Sequence, residues 1–241
     1  MKKNTSIFVI AILAIFANLG LADTYSYEID EVESLQISAG VNFTVSCADK
    51  SSLEIVADSV EDFQMSLEDK TLTIKREKTK FWPFSLWSNK KVTADITLRH
   101  PPNVIDLTSG ANGTMKNCFN GKEDLTLSAS SGSSLDVYKG TGSIDQLEVD
   151  ISSGANIEID EKIHINHLLI DASSGSNFDT DNDVIIETAK VSISSGASVD
   201  IRGVRQISGK VSSGGNLKVS DSTKRTDLVT SSGGGVNAYD D

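Results

Sequence analysis

The chain has 241 residues, and its 34 Asp and Glu residues against 22 Lys and Arg residues give a net charge of −12. Such a negative surface repels nucleic acids and anionic lipids, which excludes both as main partners. The only cysteines, Cys47 and Cys118, are too few for a disulfide-rich scaffold. The fold must therefore be held together by its own sheet and core.

Residues 1–22 have the pattern of a secretory signal peptide. Two lysines precede an apolar run at residues 7–16, and Gly20 and Ala22 are small residues at the positions that a signal peptidase reads. The run is shorter than the roughly 20 apolar residues of a membrane span, and no later stretch reaches that length. The pattern predicts export to the periplasm, cell envelope or exterior, with no transmembrane segment in the mature chain, residues 23–241.

One short motif, Ser-Ser-Gly or a close variant, recurs through most of the chain. From Gly110 onward the successive glycines of this motif are 22, 22, 21, 21, 18 and 19 residues apart. A fixed period near 20 residues is typical of a solenoid or a repeat array. Glycine takes the positive φ that a tight corner needs, and serine can bond the local backbone. Each repeat is therefore interpreted as one rung of an all-β, single-stranded β-solenoid.

The residues beside each corner alternate between apolar and polar, as expected for strands with one buried face. If the rungs stack in register, Ile151, Ala172 and Ile193 lie above one another in the core. A second predicted core column is Leu135, Ile157, Phe178, Val199 and Leu217. The alternative fold is a β-sandwich, which has no reason to repeat one corner seven times in succession. We therefore favour the solenoid.

The stretch before Gly110 is less regular, which divides the mature chain into two continuous parts. Residues 23–102 are predicted to form irregular rungs, and residues 103–241 regular ones. Leu67 to Ile74 follows the rung plan with Glu68–Thr71 in place of the corner, so we expect one degenerate rung there. An aromatic insert then interrupts the pattern, and its five large apolar residues are Phe81, Trp82, Phe84, Leu86 and Trp87.

Two roles are open for this aromatic insert. It could fold back over the N-terminal end of the core, since solenoids require a cap. Alternatively, it could be a docking patch for a partner or a membrane surface, helped by lysines on both sides. We favour the cap.

These features resemble a bacterial family known as the putative auto-transporter adhesin, head GIN domain. The tripeptide of its name is matched by Gly40-Val41-Asn42, with Val in place of Ile. Its strand-turn-strand is matched from Leu67 to Ile74, and its Ser-Gly-Ala corners match the repeated glycines. The resemblance covers nearly all of the mature chain. It implies a right-handed β-helix in an exported or cell-envelope protein of undetermined activity.

The cysteines are expected to stay apart. Cys47 follows Gly40 by seven residues and Cys118 follows Gly110 by eight, and the degenerate rung around Lys70 should lie between their rungs. Two rung spacings, roughly 9–10 Å, exceed the reach of a disulfide. We therefore predict two free, buried thiols.

One outward column stands out as a candidate site. Four residues after successive corner glycines stand Asp136, Glu158, Asp179 and Asp200. Stacked rungs would bring these carboxylates to about 5 Å from one another, where like charges repel. A solvated acidic face is one interpretation. The other is a weak cation column, since carboxylate oxygens favour divalent ions. Weakly bound calcium is the only cofactor that the sequence suggests.

Catalytic signatures are missing from the sequence. It contains neither a Gly-x-Ser-x-Gly elbow nor a phosphate-cradling glycine loop followed by lysine. The competing hypothesis is a polysaccharide-active β-helix enzyme, a lyase or hydrolase, with Arg202 and Arg205 near Asp200 as its thin support. We predict instead a non-enzymatic binding, adhesin-like or structural surface whose partner is an envelope protein or a glycan.

Overall fold

The computed structural model describes residues 22–77, 91–116, 118 and 122–239. Strands account for 66% of the structure, and they stack as parallel coils of about 21 residues, so the predicted β-solenoid is confirmed. Within the described residues, one short 3₁₀ turn, Val60–Asp62, accompanies the strands. The strands, in chain order, are β1 Asp23–Glu28, β2 Ser34–Ser38, β3 Asn42–Cys47, β4 Ser52–Ala57, β5 Phe63–Glu68, β6 Thr71–Arg76, β7 Thr93–Leu98, β8 Val104–Leu107, β9 Asn112–Lys116, β10 Lys122–Ala129, β11 Ser134–Ile151, β12 Asn156–Ala172, β13 Asn177–Thr180, β14 Ile185–Ile193, β15 Ser198–Ile201, β16 Val204–Val211, β17 Asn216–Ser220, β18 Lys224–Thr230 and β19 Gly235–Tyr239.

Two parallel ladders of strands run the length of the solenoid. The entry ladder leads the chain into each corner, in the order β6, β2, β8, β10, the second halves of β11 and β12, β14, β16 and β18. The exit ladder leads it away, in the order β7, β3, β9, the first halves of β11 and β12, β13, β15, β17 and β19. The long strands β11 and β12 pass from one ladder to the other. Their buried residues Ile144 and Ile165 close the third side of the core.

Each corner is a tight turn with two consecutive residues in the left-handed region. At one of them Ser131 has φ 55° and Gly132 has φ 71°. The Ser133 N–H donates to the Ser130 carbonyl at 3.2 Å, and the Gly132 N–H donates to the Ser153 carbonyl of the next rung at 3.1 Å. Positive φ at both central positions defines a type I′ turn. The corner therefore reverses the chain and also bonds to the rung that follows it.

From Gly110 onward, the inward position after each corner glycine holds only small side chains, whereas Val41 occupies it after Gly40. Ser133 and Ser176 are buried there, and their hydroxyls donate to the carbonyls of Leu107 and Ile151, both at 3.1 Å. At Gly234 an added Cβ would lie 2.3 Å from a backbone oxygen of Val211. The Ser, Ala and Gly residues at this position in the repeat thus reflect lack of space.

Both predicted core columns are confirmed. Ile151 pairs with Ala172, which pairs with Ile193. The column of Leu135, Ile157, Phe178, Val199 and Leu217 is also in register, and its members have 0% exposure. The glycine period therefore predicted the stacking correctly from Gly110 onward.

The prediction of a degenerate rung with Glu68–Thr71 as its corner was wrong. Those residues form the turn of an antiparallel hairpin, in which β5 pairs with β6. In the first rung the chain passes from β6 to β7 through residues 77–92. Strands β2 and β3 of the neighbouring rung pair with β6 and β7, and they are joined by only residues 39–41. The link between β6 and β7 is therefore longer than a three-residue corner.

The rungs are also not stacked in the order of the sequence. Strand β3 pairs with β7 on one side and with β9 on the other, so the rung of residues 71–98 lies outside the rung of β2 and β3. The rungs that carry the two cysteines are therefore direct neighbours. Cys47 and Cys118 form a disulfide with a Cα–Cα distance of 5.1 Å, and the prediction of two free thiols was wrong.

Antiparallel strands cover the N-terminal end of the core. Strand β4 pairs with β7, and β1 pairs with β4, while β5 flanks β6 in the entry ladder. The ring of Tyr25 in β1 packs against the ring of Phe63 in β5, with the two centroids 5.4 Å apart. This end of the core is thus covered by described residues.

Ile157→Asp should destabilise the protein by several kcal/mol, on the order of 4, because it buries a charge between Leu135 and Phe178. Thermal melts followed by far-UV circular dichroism would measure the loss. Lys190→Asp places the same side chain on an exposed position of β14 and should leave the melting temperature nearly unchanged. Equal stability of the two variants would contradict the core register.

Replacing both cysteines by alanine should lower the free energy of unfolding by about 2–5 kcal/mol, since the disulfide closes a long loop. The loop spans 71 residues. Chemical denaturation would measure the difference. Reducing agent should destabilise the wild-type protein and leave the Cys47→Ala/Cys118→Ala variant unaffected. Two titratable thiols in unfolded, unreduced protein would show that no bridge forms.

Candidate functional site: an outward carboxylate face

The four carboxylates singled out in the sequence form one outward column on the exit ladder. Asp136 pairs with Glu158, Glu158 with Asp179, and Asp179 with Asp200, in strict register through β11, β12, β13 and β15. We call these four residues the carboxylate column. Asp136 is exposed, and the other three are half-buried. Lys218 of β17 is the next member of the series, and it pairs with Asp200.

The column is electrostatically unfavourable. Burial raises the pKa of Asp136, Glu158, Asp179 and Asp200, each above the usual value of its carboxyl. Neighbouring carboxylates add to the rise, and Asp160 acts on both Asp136 and Glu158. A carboxyl whose pKa is raised on folding contributes stability at low pH and loses it as pH rises through the folded pKa. Ionisation of the column at neutral pH therefore opposes folding.

A polar ladder of Asn and Ser runs beside the column, two residues after the corner glycines from Gly40 to Gly214. The Ser134 hydroxyl donates to Oδ1 of Asn112 at 3.1 Å, and Nδ2 of Asn177 donates to Oδ1 of Asn156 at 2.9 Å. Such stacked amides are expected when identical positions repeat at the strand spacing of about 4.8 Å. Together the ladder and the carboxylate column make one outward surface of the exit ladder, which we call the carboxylate face.

Sequence reasoning missed Tyr239, which lies at the end of this face. Arg202 and Lys218 lie over the ring of Tyr239, with Cζ and Nζ at 4.7 and 3.8 Å from its centroid. Arg202 and Lys218 also lower the pKa of Asp200 against the larger effect of burial. The sequence does contain a pattern that predicts this position. Tyr239 follows Gly233 by six residues, the same offset that separates Arg202 from Gly196, so both lie in one outward column.

Four polar atoms at this end are buried and have no hydrogen-bond partner in the described part of the chain. They are the Oδ1 atoms of Asp179 and Asp200, Nε of Arg202 and the hydroxyl of Tyr239. Buried polar atoms are rarely left unpaired in native proteins. Two of the four are carboxylate oxygens, so this end of the face has unused acceptors for a cation or a hydrogen-bond donor.

The carboxylate column does not form a chelating cage. Among the described residues, no group of three or more His, Cys, Asp or Glu side chains converges in a way that could hold a metal ion. The carboxylates are spread along a line. A cation on this face would therefore contact side chains from one or two rungs and keep much of its water.

The structure separates the residues that a polysaccharide-active site would need. Arg205 donates from Nη1 to Oε2 of Glu187 at 2.8 Å, and His164 lies 3.0 Å from the same carboxylate. Arg202 lies over Tyr239. The two arginines thus have different partners and do not converge on Asp200 in a groove.

The aromatic insert, with Phe81, Trp82, Phe84, Leu86 and Trp87, lies outside the described residues. Its two interpretations, a cap and a docking patch, remain predictions. The signal peptide also remains a prediction, since residues 1–21 lie outside the described part of the chain. Within the described residues, no helix is long and apolar enough to cross a membrane.

Solved structures with the same fold include three proteins from Bacteroides and Parabacteroides species. A putative adhesin from Bacteroides fragilis is 16% identical with a TM-score of 0.70, and the alignment covers 90% of this chain and 96% of that one. A putative adhesin from Parabacteroides merdae is 15% identical with a TM-score of 0.66, and the alignment covers 92% of this chain and 97% of that one. A putative lipid binding protein from Parabacteroides distasonis is 12% identical with a TM-score of 0.62, and the alignment covers 92% of this chain and 98% of that one.

At these identities the likeness shows a shared fold. The search of curated proteins found no match to the sequence. The family described as putative auto-transporter adhesin, head GIN domain, matches residues 32–223, which is most of the chain. This range includes every corner from Gly40 to Gly214 and the whole carboxylate column. The chain therefore belongs to the putative auto-transporter adhesin, head GIN domain family.

Proposed function

We propose that the chain is a non-enzymatic, exported binding protein of the cell envelope or cell exterior, and that its carboxylate face contacts an extended glycan. Membership of an adhesin family supports a role in surface binding. The observation that carries the proposal is the strict register of the carboxylate column on a parallel sheet. An envelope protein is the alternative partner.

A parallel sheet suits a polymer because both are periodic. Successive rungs present the same polar side chains at about 4.8 Å, a spacing similar to the length of one sugar unit in an extended chain. Sugar hydroxyls both donate and accept hydrogen bonds, so the Asn and Ser ladder and the carboxylates can pair with them. A rigid face also loses little conformational entropy on binding.

Weakly bound calcium would act as a bridge on this face. Asp136 and Glu158 form no ion pair within the described residues, and burial and neighbouring carboxylates raise their pKa. A divalent cation would relieve this repulsion, since calcium prefers carboxylate oxygens and accepts water as a further ligand. It would also let an acidic glycan approach a negative surface.

The disulfide supports an exported location. Cys47 and Cys118 join neighbouring rungs, and such bridges persist in oxidising compartments and are rare in the reducing cytosol. A signal peptide at residues 1–22 would deliver the chain to such a compartment. The same compartments contain the envelope glycans that the face is proposed to contact.

A glycan array with neutral and acidic polysaccharides tests this function. In millimolar calcium the wild-type protein should be retained on acidic glycans, and a chelator should release it. Glu158→Gln/Asp179→Asn should lose most of this retention, because it removes the centre of the carboxylate column. Glu148→Gln/Asp221→Asn removes two exposed carboxylates elsewhere and should behave like the wild type.

Two controls separate the parts of this proposal. Calcium should raise the melting temperature of the wild type more than sodium chloride of equal ionic strength, and the Glu158→Gln/Asp179→Asn variant should show no such difference. Identical shifts would reduce the cation effect to general screening. Release of new reducing ends or unsaturated sugars from the glycans would overturn the non-enzymatic assignment in favour of a lyase or hydrolase.

A further inference from the structure

A cleft of about 1120 Å³ opens at the N-terminal end of the solenoid, away from the carboxylate face. Its walls are three connecting segments, residues 28–33, 49–51 and 98–103, with β10 at one side. In later rungs the long strands β11 and β12 close this side of the core. Here connecting segments replace them and leave an open groove. Its volume exceeds the range for small-molecule pockets, roughly 300–1,000 Å³, so it has room for several residues of a peptide.

The cleft is lined by charges of both signs with a negative excess. Its carboxylates outnumber its permanent cations, Lys50, Lys70 and Arg99, by six to three. The six carboxylates are Glu28, Asp30, Glu31, Glu33, Asp49 and Asp124. With His100 neutral, the lining has a net charge of −3. A concave, negatively charged site raises the local concentration of cations.

Internal pairing leaves most of these carboxylates available. Nζ of Lys70 lies 3.0 Å from Glu31 and 2.6 Å from Glu33, so this lysine is already shared between two carboxylates. Within the described residues, Glu28, Asp30, Asp49 and Asp124 form no ion pair. They are all exposed. A cationic ligand would therefore meet carboxylates that have no competing partner among these residues.

The walls also offer unpaired backbone groups. Residues 29–32 and 49–51 make no backbone–backbone hydrogen bond to another described residue. The third wall offers fewer such groups, because Pro101 and Pro102 have no N–H. An extended peptide supplies alternating N–H and C=O groups that pair with such a wall. The buried side chains of Ile29, Val32 and Leu98 line the base of the cleft, where the apolar stems of long cationic side chains can pack.

We propose that this cleft binds an extended peptide segment of a partner protein, rich in lysine or arginine. Three independent features converge on that ligand: the volume, the negative excess with unpaired carboxylates, and the free backbone groups of the walls. The cleft is separate from the carboxylate face, so the two sites can be occupied at once. The protein would thereby link a glycan to a basic protein segment.

Fluorescent hexalysine is the probe for this proposal, measured by fluorescence anisotropy with the full-length protein at physiological salt. Asp30→Asn/Asp124→Asn should weaken binding by about tenfold, since it removes two unpaired charges from the cleft. Asp171→Asn/Asp221→Asn removes the same charge from exposed positions on later rungs, which do not line the cleft, and should weaken binding by less than about twofold. Lys50→Glu adds negative charge to the wall and should tighten binding by about threefold.

Spermine carries amines but no peptide backbone, and it should bind at least about tenfold more weakly than hexalysine. Equal binding of spermine would overturn the peptide assignment. Equal weakening by the two double variants would show general attraction to an acidic protein, and the absence of saturable binding would also contradict the site. If the wild-type protein binds hexalysine but is not retained on acidic glycans, only the function proposed for the carboxylate face is contradicted.

Discussion

The backbone hydrogen bond from each corner glycine to the next rung is the interaction on which the regular solenoid depends. It recurs from Gly110 to Gly214, always to the serine carbonyl of the following corner, at 3.1–3.3 Å. Each corner also holds a serine in the left-handed region, which is unfavourable by roughly 1–2 kcal/mol for a residue with a Cβ. One backbone hydrogen bond contributes about 0.5–1.5 kcal/mol, so a single corner gains little by itself. The corners become stable only as a stack, because each rung supplies an acceptor and a core surface to the one before it.

Strict register turns every repeated residue into a column, and the inward and outward columns have opposite effects on stability. A fully buried Ile, Leu or Val contributes about 1.5–3 kcal/mol, and each rung adds several of them. An exposed pair of like charges opposes folding by less than about 1 kcal/mol. The core therefore outweighs the carboxylate column, and the protein can keep Asp136, Glu158, Asp179 and Asp200 aligned although their repulsion opposes folding. A surface retained against this repulsion is a reasonable place for function.

Predictions from the sequence were most accurate from Gly110 onward, where the corner glycines recur at a regular spacing. The spacing of the glycines and the alternation around Ile157 and Phe178 were enough to predict the fold, the core columns and the carboxylate column. The errors lie before Gly110, where pairing is not sequential. Strand β2 pairs with both β6 and β8, and no local pattern in Leu67 to Ile74 distinguishes a hairpin turn from a solenoid corner. The disulfide prediction was wrong for the same reason, since it depended on which rung lies next to which.

The candidate sites were predictable to different degrees. The carboxylate column follows from a fixed offset to the glycines, so it could be read from the sequence. Tyr239 stacks with Arg202 and Lys218 from different rungs, and this contact needs the three-dimensional register. The cleft could not be predicted, because residues 28–33, 49–51 and 98–103 are connecting segments without a period. They meet only because antiparallel strands cover the N-terminal end of the core.

The protection of the corner amides is the most direct test of this account. Native-state hydrogen exchange by NMR measures it residue by residue. The account predicts slow exchange at Gly132, Gly154, Gly175 and Gly196, because each N–H donates to the serine carbonyl of the next rung. The N–H groups of Ser131, Ser153 and Ser174 form no such backbone bond among the described residues and should exchange much faster. Rapid exchange at the four glycines, at the rates of ordinary exposed turns, would contradict the stacked corners and the register of both faces.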